Sequence, residues 1–435
     1  MAPALERPTR VRYWVIVFAV TLAVITYIDR VALSYASLVI RHDLHLSSDE
    51  LGWAFGAFAL AYSMFEMPGG FLGDWLGPRK VLLRIVTWWS CCTAATGFTW
   101  NLASLTTTQF LFGAGEAGCF PNLTKAFTTW LPPKEKTRAQ GFMWLSARWG
   151  GAFTPPIVRM VMRYVGWRNA FRIFGLIGVV WAVVFYRWYR NDPLENPKLN
   201  QAERELVKQS AHLATGHAHV PWKRFVHSRQ VWMLCWQYFA LSYGWYFYIT
   251  WLPTYLREAQ KLELGSTAMY GILPLFFGGL GNPASVVAGG WVTRLTGSIK
   301  WSRRFMSCLG FAGAAGFLVL STYMHDPFSA VLAIAMASFS NDLVMPGAWS
   351  AAMDIGGKYA GTLSGAMNMS GNFAGFVAPV VIGYLLKWTH SNWDVTFYVS
   401  AAVYLTGIVF WLLLDPVTPL EDGISGTGYP TPKNS

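Results

Sequence analysis

Cysteine is scarce in this chain. Cys91, Cys92, Cys119, Cys235 and Cys308 are the only five among 435 residues, and all fall in apolar stretches. That pattern excludes a disulfide framework and a cysteine-built metal cluster. Charge is scarce too, at 13% of residues, where a soluble globular chain carries about 25%. Acids are fewer still, 22 against 34 Lys and Arg, for a net +12. No glycine loop cradles a phosphate, no spacing suits metal ligands, and no nucleophile sits beside a base, so an embedded enzyme has no chemistry to run on. The positive balance does not imply nucleic acid, because its placement follows a membrane rule. No cleavable signal is expected: the first apolar run is too long for one, and no small-residue cleavage site follows it.

What the chain has is apolar length. Hydrophobic residues make up 54% of it and aromatics 16%, with 41 glycines. Twelve apolar spans can be placed, near 13–40, 51–72, 81–100, 104–130, 139–163, 168–189, 230–256, 268–293, 304–323, 328–350, 359–386 and 394–414. The expected class is an all-α membrane protein of twelve transmembrane helices in two pseudo-symmetric six-helix bundles. The expected division is an N-terminal bundle at 1–190, a linker at 191–229, a C-terminal bundle at 230–415 and a tail at 416–435. His212, His217 and His219 lie in the linker without partner acids, which reads as a solvated tract rather than a metal site. Of the 34 bases, 24 fall in the segments on the side of the N-terminus and 8 in the opposite loops. By the positive-inside rule both termini are then cytoplasmic. Arg159, Arg163, Arg168 and Arg172 dissent at the outer end of spans five and six, either as an anion funnel or as interface anchors.

Ionisable residues inside the apolar spans are the candidates for function, because charge at that depth is disfavoured unless it faces protein or a water-filled path. Asp29 and Arg30 sit about 24 Å along the first helix, counted from Tyr13 at 1.5 Å per residue. Glu116 lies in span four and Arg148 in span five. A buried carboxyl near an arginine can load and release protons, which fits Asp29 and Glu116. Guanidinium forks onto carboxylates, so Arg30, helped by Arg148, suits an anionic ligand. Two internal salt bridges would use the same four residues. Tyr62, Tyr243, Tyr246, Asn341, Trp349, Asn368 and Asn372 complete a candidate cavity, their amides and hydroxyls suited to sugar hydroxyls and the Trp face to a sugar's C–H surface. Tyr243 and Tyr246 read equally well as interface anchors. Asp342 and Asp354 fall near the ends of span ten, with Lys358 as the expected partner of Asp354.

An internal repeat supports two halves. Gly70, Asp74 and Gly77 recur as Gly290, Arg294 and Gly297, each 220 residues later. Gly70, Asp74, Gly77, Arg79 and Lys80 form a candidate conformational latch between helices. The stretch Gly70-xxx-Asp74-xx-Gly77-x-Arg79-Lys80 resembles the loop signature of the major facilitator superfamily. Tyr27-Ile28-Asp29-Arg30, Gly113 to Asn122, Trp251-Leu252-Pro253-Thr254-Tyr255-Leu256 and Asn191-Asp192-Pro193 to Glu203 resemble its anion:cation symporter family, across nearly the whole chain. The resemblance implies a central cavity, alternating access and proton-carrying acids at Asp29 and Glu116. It favours Arg30, Tyr62, Trp349 and Asn368 as cavity residues. The expected activity is proton-coupled symport of a sugar acid such as a hexonate or hexuronate, with export or uniport of organic anions as the alternative. A channel fits poorly with a two-fold repeat. The partners expected are the anion, protons and the lipid bilayer, with no cofactor, no metal and no nucleic acid, in a monomer of the inner (plasma) membrane. One departure is Gln109, where the family usually has Arg.

Overall fold

The computed structural model describes residues 7–46, 48–211, 220, 222–262 and 264–420. Its long helices form twelve rods. The first three are α1 (Trp14–Asp43), α2 (Ser48–Leu76) and α3 (Pro78–Thr96). The fourth is broken into α4 (Leu102–Glu116) and α5 (Cys119–Trp130). The fifth and sixth run as α6 (Pro133–Trp188), kinked at Gly166, which has φ 76°. Two short helices follow, α7 (Gln201–Ala211) and α8 (Trp222–His227). The seventh rod is α9 (Arg229–Thr250) with α10 (Leu252–Glu258), the eighth α11 (Leu264–Thr296) and the ninth α12 (Ile299–Thr322). The tenth is broken into α13 (Pro327–Asp342) and α14 (Met345–Gly356), and α15 (Ala360–Trp388) and α16 (Trp393–Leu413) complete the set.

Local chemistry sets many of these starts. Asn101 and Ser104 form a capping box at α4, and the Ser298 and Asp326 side chains accept backbone N–H groups at α12 and α13. Gly77 and Gly297, matched by the repeat, both take positive φ, 82° and 64°, where side chains are strained. Among the described residues, six segments are apolar and long enough on composition alone to cross a membrane, one of them holding both the tenth and eleventh rods. Among the rods outside that set are those carrying Glu66, Glu116 and Arg148, whose polar groups lower their hydropathy.

The rods pack as two groups. In the first, α1 and α3 lie on α6, and α2 on α4; in the second, α9 lies on α15 and α16, and α11 and α12 on α13. Two seams join the groups, α2 against α15 and α6 against α11. Both described chain ends lie on one side, here called the terminus side. Arg12 there pairs with Glu135 at 2.8 Å and Glu203 at 2.9 Å, and the Leu420 backbone N–H bonds the Ile355 carbonyl at 2.9 Å.

The segment read as a solvated linker is partly docked. Glu203 on α7 is fully buried and also accepts from Thr9 Oγ1 at 2.6 Å and the Val11 backbone N–H at 3.1 Å. Ser210 donates to the Leu131 carbonyl at 3.0 Å, so α7 lies against the first group. An amphipathic helix with one buried acid needed a basic partner, and Arg12 supplies it. The three linker histidines lie outside the described residues.

Candidate functional site

Between the two groups lies a cavity with about 540 Å³ of empty space. The first group contributes Tyr27, Arg30, Tyr62 and Phe120 to its wall, and the second Tyr246, Asn341, Asn368 and Asn372. Toward the terminus side, aromatic rings floor it. Phe120 stacks on Trp144 at 4.8 Å between centroids, and Trp144 meets Trp349 at 5.1 Å.

Arg30 is held at this wall by charge and by rings. Its Nε donates to Glu116 Oε1 at 2.7 Å, and its guanidinium lies 4.4 Å over the Tyr62 ring. Among the described residues Arg30 Nη2 has no acceptor, and Glu116 Oε2 has no donor. Glu116 is the last residue of α4, so it sits at a helix break rather than inside a continuous span. Gly118 makes the break possible with φ 82°.

Asp29 does not line the cavity. It is buried against α3, where its Oδ2 accepts from Trp89 Nε1 at 3.1 Å. Residues adjacent on a helix point about 100° apart, which separates it from Arg30.

Arg148 lines the cavity but is not an unpaired base. Its Nε and Nη2 fork onto Asp342 at 2.7 and 3.0 Å, and its guanidinium lies 3.3 Å from the Trp245 ring centroid. Asp342 is fully buried in mid-rod and also accepts from Asn282 at 3.3 Å and Asn341 at 3.0 Å. The expectation that Asp342 lies near a span end is corrected, because the tenth rod continues beyond its break to Gly356. The charge count is corrected with it: Arg148 is neutralised across the seam by an acid of the other group.

A further acid, absent from the sequence reading, completes the buried set. Glu66 on α2 is fully buried. Its Oε1 accepts from Asn368 Nδ2 at 2.6 Å across the seam, and its Oε2 accepts from the Gly118 backbone N–H at 3.1 Å. The signal was in the sequence as an acid inside the second apolar span.

Two expected cavity residues lie elsewhere. Trp349 is fully buried beneath the floor, donating to Tyr238 Oη at 3.1 Å, and Tyr238 is the ring that reaches the cavity. Tyr243 packs in a small cluster with Ala374 and Ala378. Tyr246, one helical turn on, does face inward and donates to Asn372 Oδ1 at 3.0 Å. Gln109 is buried within the first group, where its Nε2 donates to Thr96 Oγ1 at 3.3 Å.

The latch residues divide. Asp74 accepts the Gly361 and Thr362 backbone N–H groups at 3.0 and 2.6 Å and the Thr362 hydroxyl at 2.7 Å, at the first turn of α15. Lys125 lies 3.4 Å from the same carboxylate. Gly70 abuts Gly361, and any side chain there would meet its carbonyl. The other three stay in the first group. Gly77 packs on Asn191, the Arg79 backbone N–H donates to the Asn191 side chain at 3.1 Å, and Lys80 is exposed. Asp354 pairs with Lys136 at 3.4 Å and Arg303 at 2.6 Å, not with Lys358 as expected. At the opposite end, Arg168 pairs with Asp43 at 2.6 Å and Arg172 covers Phe98 at 3.9 Å, while Arg159 and Arg163 are exposed.

Comparison with known proteins agrees with this architecture. The family model described as Major Facilitator Superfamily matches residues 19–379. A probable sulfoacetate transporter of Cupriavidus necator is 33% identical over 404 residues, covering 91% of this chain and 92% of that one. The D-galactonate transporter of Escherichia coli is 27% identical over 432 residues, covering 94% and 97%. A solved proton:xylose symporter superposes with TM-score 0.74 at 13% identity, covering 95% of this chain and 99% of that one, which bears on the fold alone. The chain belongs to the major facilitator superfamily, among its anion transporters. It is a multi-pass membrane transporter and not an enzyme.

Proposed function

We propose that this protein imports an organic anion of the sugar-acid class, a hexonate or hexuronate, together with protons, by alternating access. The observation that carries the reading is Arg30. It is a cavity-lining guanidinium with one nitrogen spent on Glu116 and another without an acceptor among the described residues. The neighbouring polar groups Tyr246, Asn341, Asn368 and Asn372 are neutral and suit hydroxyls. Relatives named for D-galactonate and hexuronate support that substrate class.

In this scheme a proton on Glu116 removes the charge that holds Arg30, and the guanidinium turns to the substrate carboxylate. The orphaned Oε2 gives that proton a place. Asp29 carries a second proton behind the wall. The Arg148–Asp342 pair ties the two groups at mid-depth while the halves rock. The terminus side is the cytoplasmic side of the inner (plasma) membrane, as the distribution of Lys and Arg supports.

The test is uptake of labelled D-galactonate and a hexuronate into proteoliposomes, with and without an imposed inward proton gradient. Accumulation that follows the gradient is expected. Arg30→Lys keeps the charge but loses the fork, and its affinity should fall roughly 30-fold or more. Glu116→Gln should still exchange substrate in counterflow but fail to accumulate it. Gradient-driven accumulation by Glu116→Gln would place the coupling proton elsewhere.

A further inference from the structure

Glu66 has no part in the scheme above, yet it bonds two groups at the site and lies beside a third. It lies one helical turn from Tyr62, which covers Arg30. It accepts the Gly118 backbone N–H at the break that begins right after Glu116. It accepts the side-chain amide of Asn368, a cavity residue of the other group. Both bonds run into a carboxylate that is fully buried.

That arrangement dictates which way Asn368 faces. The structure places Asn368 Nδ2 2.6 Å from Glu66 Oε1, so the amide donates and the carboxyl oxygen accepts. The carbonyl oxygen Oδ1 is thereby turned away from Glu66, and among the described residues no group donates to it. We propose that Glu66 is a positioning residue that sets substrate specificity: it holds Asn368 with Oδ1 presented to the cavity as an acceptor for a substrate hydroxyl. This rests on the sugar-acid reading given above. A keto group at the same substrate position would set acceptor against acceptor and be rejected.

The chemistry of glutamine makes the proposal sharp. In Glu66→Gln the new side-chain oxygen must take the Gly118 N–H, because an amide nitrogen there would set donor against donor. The new nitrogen then faces Asn368. The Asn368 carboxamide must turn its oxygen toward that nitrogen, which presents N–H groups to the cavity. The polarity offered to the substrate is reversed with no change in shape.

The experiment measures competition of galactonate and its 2-keto and 5-keto analogues against labelled galactonate in counterflow. The readout is the ratio of affinities, hydroxy over keto. Wild type should prefer galactonate over at least one analogue, and in Glu66→Gln that preference should shrink by roughly tenfold, about one hydrogen bond. A merely structural loss would weaken all three ligands together and leave the ratio fixed. Asn368→Ala provides an independent variant, which should lose the same preference by removing the acceptor. An unchanged ratio in either variant, or equal binding of hydroxy and keto anions by wild type, overturns the proposal. If wild type binds no hexonate at all, the sugar-acid reading fails first and this proposal falls with it.

Discussion

The two seams between the helix groups solve one packing problem with different chemistry. On the terminus side of the α2–α15 seam, backbone meets backbone at Gly70 and Gly361, and Asp74 is buried at the first turn of α15. A helix N-terminus presents free N–H groups and a partial positive charge, so a carboxylate there is stabilised. On the same side of the α6–α11 seam, the repeat places Arg294 where the first seam has Asp74. The helix opposite, α6, also begins on this side, at Pro133, and a base gains nothing from its positive end. Arg138 of α6 and Arg294 of α11 instead flank a groove of about 1470 Å³ lined by Phe142, Val286 and Trp291. Deeper in, this second seam is closed by the buried Arg148–Asp342 pair and by Trp149 stacked on Phe276 at 5.8 Å. The first seam is therefore tied at its terminus-side end as well as deeper in, where Glu66 accepts from Asn368, while the second has its buried ion pair at its middle. The repeat keeps a positive-φ glycine at both turns, and the change from Asp74 to Arg294 removes the carboxylate that binds a helix N-terminus.

The contrast can be broken most severely at the middle tie. Asp342→Ala strands the Arg148 guanidinium in a buried site, a loss of about 3–5 kcal/mol for such pairs. The thermal unfolding midpoint of the purified transporter should fall accordingly. Arg148→Met combined with Asp342→Leu should recover most of it, since no lone charge remains. A single variant as stable as wild type would mean that the pair does not hold the seam.

A smaller effect is expected at the glycine contact. Gly70→Ala overpacks the tied end, at about 1–3 kcal/mol. Distances between spin labels on the terminus-side ends of α2 and α15 should lengthen, with the closed population reduced. The matching Gly290 has open space around it, so Gly290→Ala should leave the corresponding distances across the second seam unchanged.

The smallest effect is expected at Arg294. It is exposed, and exposed ion pairs contribute about 0–1 kcal/mol, so Arg294→Ala should move the unfolding midpoint by little. A large drop would mean that this arginine ties the second seam after all.

Much of this was legible in the sequence because it rests on local rules. Apolar length placed the rods, and the glycine–acid–glycine spacing found the turn at Gly77 and the Asp74 contact. Arg30, Tyr62, Tyr246, Asn368 and Asn372, chosen by depth and residue type and, for Arg30, Tyr62 and Asn368, by the family resemblance, all line the cavity. The errors have two physical sources. Helix breaks at Gly118 and after Asp342 shift what counts as mid-span, which hid the depth of Asp342 and made Glu116 a helix end. Partners across the two groups are set by tertiary packing alone, so the commitments of Arg148 to Asp342 and of Glu66 to Asn368 had no local signature. Trp349 and Tyr243 show the remaining limit. Helical periodicity says that a ring faces inward, and only packing says whether it reaches the cavity or lies one layer behind it.

The docking of Glu203 has a practical consequence for handling this transporter. That carboxylate has no exposure, and its donors are Thr9, Val11 and Arg12 together with the Arg12 guanidinium. Thr9, Val11 and Arg12, just before the first membrane helix, therefore form a plug in a polar socket. An expression design that trims the start through Arg12, or fuses a rigid tag against it, would leave an unpaired acid inside the protein.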